Sequence, residues 1–157
     1  MTRPTPTPPG LSHAFTIDAH IGEIGMADPG PLGERQHIPI LGGQVFGPRL
    51  QGRIRPGGAD WALLRRDGTS AIEAHYTIEA VDGALIYVHS QGLRVSSPEV
   101  LARMRAGQPV DQSEVYFRAT PRFEAPAGVH DWLNHRMFVA TVARAPQGVS
   151  LQVFQVD

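Results

Sequence analysis

The feature that most constrains this chain is a rhythm: apolar runs of about five to ten residues recur along it, bounded by Gly, Pro or Asp-Gly. Runs of that length suit strands, and their regular punctuation is that of an all-β sandwich or barrel. They place strands near His13–Ile21, Arg35–Val45, Arg49–Arg55, Trp61–Arg66, Ser70–Ala80, Ala84–Ser90, Glu114–Phe123, Arg136–Arg144 and Val149–Val156. Asp67-Gly68 and Asp82-Gly83 sit between such runs and supply the φ > 0 positions of tight hairpins, which ties three consecutive strands into a meander. One helix interrupts the pattern. Ser97 caps it, Pro98 fits its first position, Glu99 to Arg105 supply helix formers ending in basic residues, and Gly107 stops it. A short helical turn is expected around His130–Asn134. The proline-punctuated residues 1–10 bury too little apolar surface to become ordered and read as a flexible tail. The expected fold is therefore all-β: a closed antiparallel β-barrel of about 8–9 strands with one short helix, a single domain over residues 11–157.

Composition narrows the chemistry. A chain of 157 residues fits one domain with a sizeable core. All fourteen basic residues are arginine, so no side-chain amine is present for a Schiff base, and lysine-linked pyridoxal chemistry is excluded. Cysteine is absent, which removes disulfides, thiol nucleophiles and cysteine metal sites. The net charge of -1, with scattered arginines, predicts no nucleic-acid partner. The N-terminus lacks the apolar core of about 7–15 residues that a signal peptide needs, and no stretch approaches the ~20 apolar residues of a membrane helix. The expectation is a cytoplasmic protein with no membrane partner. No G-x-S-x-G elbow, Walker loop or dinucleotide fingerprint is present, so no cofactor is expected.

Three groups of residues carry candidate chemistry. In Pro56-Gly57-Gly58-Ala59-Asp60-Trp61 the glycines allow positive φ or close backbone approach. Asp60 then reads either as a base beside an aromatic wall formed by Trp61 or as the cap of a well-made corner. A second group is Tyr76, Tyr116, Arg118, Trp132 and Asn134. On the strand ending at Glu124, alternation puts Tyr116 and Arg118 on one face and Val115, Phe117, Ala119 and Phe123 on the other; sequence does not say which face lines a lumen. A phenol and a guanidinium on one face can address the same oxyanion. The third group is the seven histidines. Asp18 with His20, and Glu73 with His75, share strand faces, but the H-x-H pattern of a metal barrel and H-E-x-x-H are both missing, so no metal is expected. His75 stands out instead as an acid/base that titrates near neutrality.

The run Gly42-Gly43-Gln-Val-Phe-Gly47-Pro48-Arg-Leu50-Gln-Gly52, followed by Pro56 to Trp61, resembles the bacterial and fungal family known as domain of unknown function 3237. The likeness continues through Ala74-His75-Tyr76, Asp82-Gly83-Ala84-Leu-Ile-Tyr87, Gly92-Leu-Arg94, Tyr116-Phe117-Arg118, Phe123-Glu124 and Trp132-Leu133-Asn134, and covers nearly everything after residue 12. The resemblance implies a small antiparallel β-barrel of roughly 150 residues and brings no general activity with it. One departure is His75, where the family pattern leads one to expect arginine before the tyrosine.

These readings favour a cofactor-independent acid/base enzyme of isomerase, cyclase or lyase type, acting on a small apolar or aromatic enolisable molecule inside the barrel. In that reading Asp60, His75, Tyr116 and Arg118 are catalytic, while Trp61, Tyr76, Trp132 and Asn134 bind substrate. A non-catalytic carrier or sensor of the same kind of molecule is the alternative, because closed barrels of this size hold one ligand. The second alternative is a homodimeric structural or interaction protein.

Overall fold

The structure, a computed structural model, describes residues 1–157. Its strands are β1 Leu11–Ile21, β2 Gly25–Met26, β3 Glu34–Phe46, β4 Gly52–Ile54, β5 Gly58–Asp60, β6 Leu63–Leu64, β7 Ser70–Ala80, β8 Leu85–Val95, β9 Tyr116–Glu124, β10 Met137–Ala145 and β11 Gly148–Val156. All pairings between them are antiparallel, in the order β1-β11-β10-β9-β8-β7-β4-β3, and β1 also pairs with β3. The sheet is thus closed on itself, the barrel that the strand rhythm predicts. One stave is interrupted: β4, β5 and β6 lie end to end between β3 and β7. Residues 1–10 are exposed and carry no secondary structure.

The two Asp-Gly hairpins form for a stateable reason. Gly68 and Gly83 take φ of 87° and 89°, and no non-glycine residue has positive φ. Each loop has three residues, closed by Arg65 N to Thr69 O and by Ala80 N to Ala84 O, both at 2.9 Å. The aspartates accept from the backbone N–H two residues on, Asp67 from Thr69 at 2.9 Å and Asp82 from Ala84 at 3.1 Å. Each loop is thereby held in the type I turn plus left-handed glycine that suits a three-residue hairpin.

Three departures from the sequence reading are informative. β8 continues to Val95 rather than ending at Ser90, because Gly92 is a close-approach point: a Cβ there would lie 2.6 Å from the Arg118 carbonyl oxygen on β9. The strands expected over Arg49–Arg55 and Trp61–Arg66 shrink to β4 and β6, and the segment between them contributes β5. Within that segment Gly57 turns the chain at φ 110°, and a Cβ on Gly58 would meet the His75 carbonyl oxygen and Tyr76 Cβ at 2.6 Å. Both uses of glycine expected of Pro56–Trp61 are therefore present, one at each residue.

Helix α1, Pro98–Arg105, begins at Ser97, whose side chain accepts from the Val100 N–H at 3.2 Å. A short 3-10 turn spans Asp131–His135. The lumen is filled unevenly. At one end Phe15, Phe123, Phe138 and Trp132 meet edge to face, with ring centroids 5.1 to 6.5 Å apart, and Arg49 covers the indole from outside, 3.6 Å from its centroid. Ile78, Ile86, Val88, Leu133 and Val153 complete this plug. Towards the other end, beneath α1, the lumen stays open.

Phe123 touches both Phe15 and Phe138, so Phe123→Ala is expected to cost about 3–5 kcal/mol. Arg118→Ala, on the outer face of the same strand, is expected to change stability by under about 0.5 kcal/mol. Urea unfolding of the two variants checks this.

Candidate active site in the barrel lumen

Strand parity decides what reaches the lumen. β9 alternates without exception: Phe117, Ala119, Pro121 and Phe123 are buried, and Tyr116, Arg118, Thr120, Arg122 and Glu124 are exposed. The two apolar aromatics select the inward face, because a closed barrel has only one interior to bury them in. On β7 the inward set includes Ser70, Ile72, Ala74 and Tyr76; on β8 it ends Ser90, Gly92, Arg94; on β10 it ends Val142, Arg144. On these strands the inward charged and hydroxyl-bearing serine side chains gather at one end of the barrel.

There they surround a cavity of about 300 Å³. Its walls are mainly apolar, with Leu101 and Met104 of α1 over it and Tyr76 and Phe117 among its aromatic members. Gln36, Asp60, Ser90, Arg94, Arg105 and Arg144 also line it, the last two as exposed side chains. A second, more polar recess beneath residues 107–112 shares Arg94 and Arg144 with the chamber, so the two guanidinium groups stand where the apolar space meets a wetter one.

Asp60 is held by the interrupted stave. β5 places it opposite Ile38 on β3 and Ala74 on β7, and its Oδ1 accepts from the Glu73 backbone N–H at 2.9 Å. Burial pushes its carboxyl above the ordinary value of 3.8; the Glu73 N–H and the Arg94 charge oppose that shift without cancelling it. Arg94 donates to Ser70 Oγ at 3.1 Å across the β7–β8 register, and burial and the nearby Arg144 charge lower its affinity for its proton. It remains a cation, as guanidinium does in proteins. Burial raises the Tyr76 phenol far above its usual value, so at neutral pH it is a proton-bearing donor. The chamber therefore combines one carboxyl of raised pKa, three guanidinium groups, a phenol, a hydroxyl and an amide. That set can orient an oxyanion and exchange a proton beside it.

Of the residues singled out in the sequence, the structure brings Asp60 and Tyr76 into this chamber and disperses the other six. His75 is on the outer face, stacked on His89 with centroids 4.3 Å apart and hydrogen-bonded to the Tyr87 hydroxyl. Tyr116 is exposed, with the Arg118 guanidinium 5.2 Å from its ring, and Arg118 donates to the Phe117 carbonyl at 2.9 Å. Trp61 is half exposed, against His37 at 4.4 Å. Trp132 belongs to the packed plug at the far end. Asn134 is a structural clamp: its Oδ1 accepts from Ala125 N–H at 2.8 Å and its Nδ2 donates to Ala125 O and Asp131 Oδ1, both at 2.9 Å. The pairing of Tyr116 with Arg118 is real, but it points outward.

Sequence reasoning missed Gln36, Ser90, Arg94, Arg105 and Arg144. The signal was available as a charged residue on the apolar parity: Arg144 follows Phe138, Ala140 and Val142 at intervals of two, and Arg94 follows Ile86, Val88 and Ser90. Ending the expected Ala84–Ser90 strand at Ser90 hid the second case.

The fold is a closed antiparallel barrel whose mainly apolar lumen carries a carboxyl and guanidinium groups at one end. Residues 9–156 match the family described as "Protein of unknown function (DUF3237)", and the chain belongs to that family. A UPF0311 protein of Rhodopseudomonas palustris is 39% identical over 144 residues, covering 92% of this chain and 94% of that protein. The crystal structure of a conserved protein of unknown function from R. palustris superposes with a TM-score of 0.89 at 39% identity, covering 98% of this chain and 99% of that one. The hydroalkoxylation enzyme phnH of Penicillium herquei is 32% identical over 83 residues, 53% of this chain and 55% of the enzyme. The crystal structure of an enzyme from P. herquei shares the fold, with a TM-score of 0.75 at 22% identity over 99% of this chain and 100% of that one.

The Asp60 shift has a signed consequence. Its folded-state pKa lies above the ordinary 3.8, so the stability it contributes is complete below that value and is lost as pH rises through the raised one. Asp60→Asn removes the dependence. The unfolding free energy of the wild type minus that of the variant is expected to fall as pH is raised from about 3 to about 7, measured by urea titration at each pH.

Proposed function

We propose that the lumen is the active site of a cofactor-independent acid/base enzyme of isomerase, cyclase or lyase type, acting on a small apolar or aromatic molecule with an enolisable or phenolic oxygen. The observation that carries this reading is Asp60: a carboxyl of raised pKa in the same apolar chamber as Arg94, Arg144 and Tyr76. A raised pKa brings a carboxyl closer to the operating pH, where an acid/base group exchanges protons most effectively. Arg94 and Arg144 are placed to stabilise the enolate or phenolate oxygen, with Tyr76 as a neutral donor. The apolar walls hold the carbon skeleton and keep bulk water from competing.

The relative named a hydroalkoxylation enzyme supports the cyclase variant of this reading. Hydroalkoxylation adds an alcohol O–H across a carbon–carbon double bond, so no electrons are gained or lost overall. One proton leaves oxygen, a C–O bond forms, and one proton reaches the neighbouring carbon. In this chamber Asp60 takes the oxygen's proton, Arg94 and Arg144 carry the developing oxyanion charge, and protonated Asp60 then supplies the carbon. A single carboxyl serves both steps, and no cofactor is called for.

The apolar lining also favours a second reading, a carrier that binds the same molecule without turning it over. An ortho-alkenyl phenol incubated in D₂O distinguishes the two by mass spectrometry. The enzyme is expected to yield the cyclic ether with one deuterium on carbon. Asp60→Asn should lower that rate by about 10²–10⁴-fold while retaining binding, and Arg94→Met should weaken binding. Tight binding with no product in any variant would establish the carrier.

A further inference from the structure

Outside the lumen, on the opposite face of β7 and β8, three side chains converge that the chamber does not use. Glu73 and His75 are two residues apart on β7 and so share the outward face; His89 is the cross-strand partner of His75. The imidazoles stack nearly parallel, 11° apart. Glu73 Oε1 lies between them, hydrogen-bonded to His89 Nε2 and 3.4 Å from His75 Nε2. One ligand atom from each of the three falls within 4.8 Å of the others.

We propose that Glu73, His75 and His89 form a binding site for a divalent transition-metal ion of the zinc class. Two imidazole nitrogens and one carboxylate oxygen are the donor set such ions prefer, and three protein ligands leave a fourth position for water or an incoming ligand. The surroundings provide the outer contacts that hold metal ligands in orientation. The Tyr87 hydroxyl is hydrogen-bonded to His75 Nδ1, which leaves Nε2 directed at Glu73, and Gln91 Nε2 donates to Glu73 Oε2 at 3.0 Å, which leaves Oε1 directed at the histidines. The side chains are about one-third to two-fifths exposed, so an ion reaches them from solvent without opening the barrel. On β5 the neighbour of His75 is Ala59, too small to fill the space above the rings. Across β9 the neighbour of His89 is Arg122, an exposed side chain with solvent to extend into. The other outward Asp/His pair on one strand, Asp18 and His20, shows why the third donor matters: Asp18 is engaged by Ser150 Oγ at 2.5 Å and no third ligand joins them.

The site stands independently of the lumen reading, because it uses neither Asp60 nor the arginines of the chamber. The test is titration of tag-free, chelator-treated full-length protein with Co(II), followed by visible absorption, and with Zn(II), followed by calorimetry. One equivalent per chain is expected, with the intense visible bands of low-coordinate Co(II). His75→Gln, His89→Gln and Glu73→Gln are each expected to weaken binding by more than about tenfold, and Tyr87→Phe by about tenfold, since removal of an outer contact typically has that effect. His130→Gln, at the separate pair with Asp82, should leave binding unchanged. Far-ultraviolet circular dichroism confirms folding of each variant. Absence of stoichiometric binding to the wild type, or binding that survives His75→Gln and His89→Gln alike, overturns the proposal.

Discussion

Closure of the sheet through β1 is the constraint on which the rest depends. That strand pairs with β11 on one side and β3 on the other, so the backbone polar groups of both neighbours are satisfied and the sheet has no free edge along its main circuit. Once the sheet is closed, inside and outside are distinct along every stave, and a side chain's direction follows from parity alone. A bulge between His13 and Phe15 shows the strand adjusting to this demand: both Ala14 and Phe15 are buried where strict alternation would expose one of them.

Closure alone does not make a site. The lumen at one end is filled by aromatic rings in edge-to-face contact, a dense arrangement that leaves no room for a ligand. At the other end inward positions carry Asp60, Arg94 and Arg144, whose charges cannot interdigitate as hydrocarbon does. The chamber persists because its polar groups need partners, and a helix, rather than further strand, roofs it with Leu101 and Met104. The interrupted stave between β3 and β7 serves the same end. Its short pieces let the chain deliver Asp60 inward from β5, while Gly57 turns the chain and Gly58 admits Tyr76 close behind.

Much of this was legible beforehand. The barrel, the two Asp-Gly hairpins, the capped helix and the family resemblance all rest on local signals: strand-length apolar runs, glycines where φ is positive, Ser97 before Pro98, and ordered motifs along the chain. Asp60 was visible through its unusual neighbours, and Tyr76 through the motif around it. Other elements depended on contacts that no local pattern reports. Trp132 and Trp61 both look like walls of a binding site in sequence, yet one packs the far plug and the other leans on His37 outside. The extension of β8 past Gly92 depended on the close approach of β9, and with it went the recognition of Arg94.

What the sequence by itself determined is periodicity: which residues alternate, where turns must fall, and which side chains share a face, because these follow from φ, ψ and apolar spacing within a few residues. What only the tertiary structure decided is the sign of each face and the identity of neighbours across strands. Tyr116 and Arg118 share a face in both descriptions, but only closure around Phe117 and Phe123 turns that face outward. His75 and Glu73 share a face likewise, and only the β7–β8 register sets His89 beside them. Register and closure depend on hydrogen bonds between residues distant in the chain, and these select which groups of the sequence meet as a site.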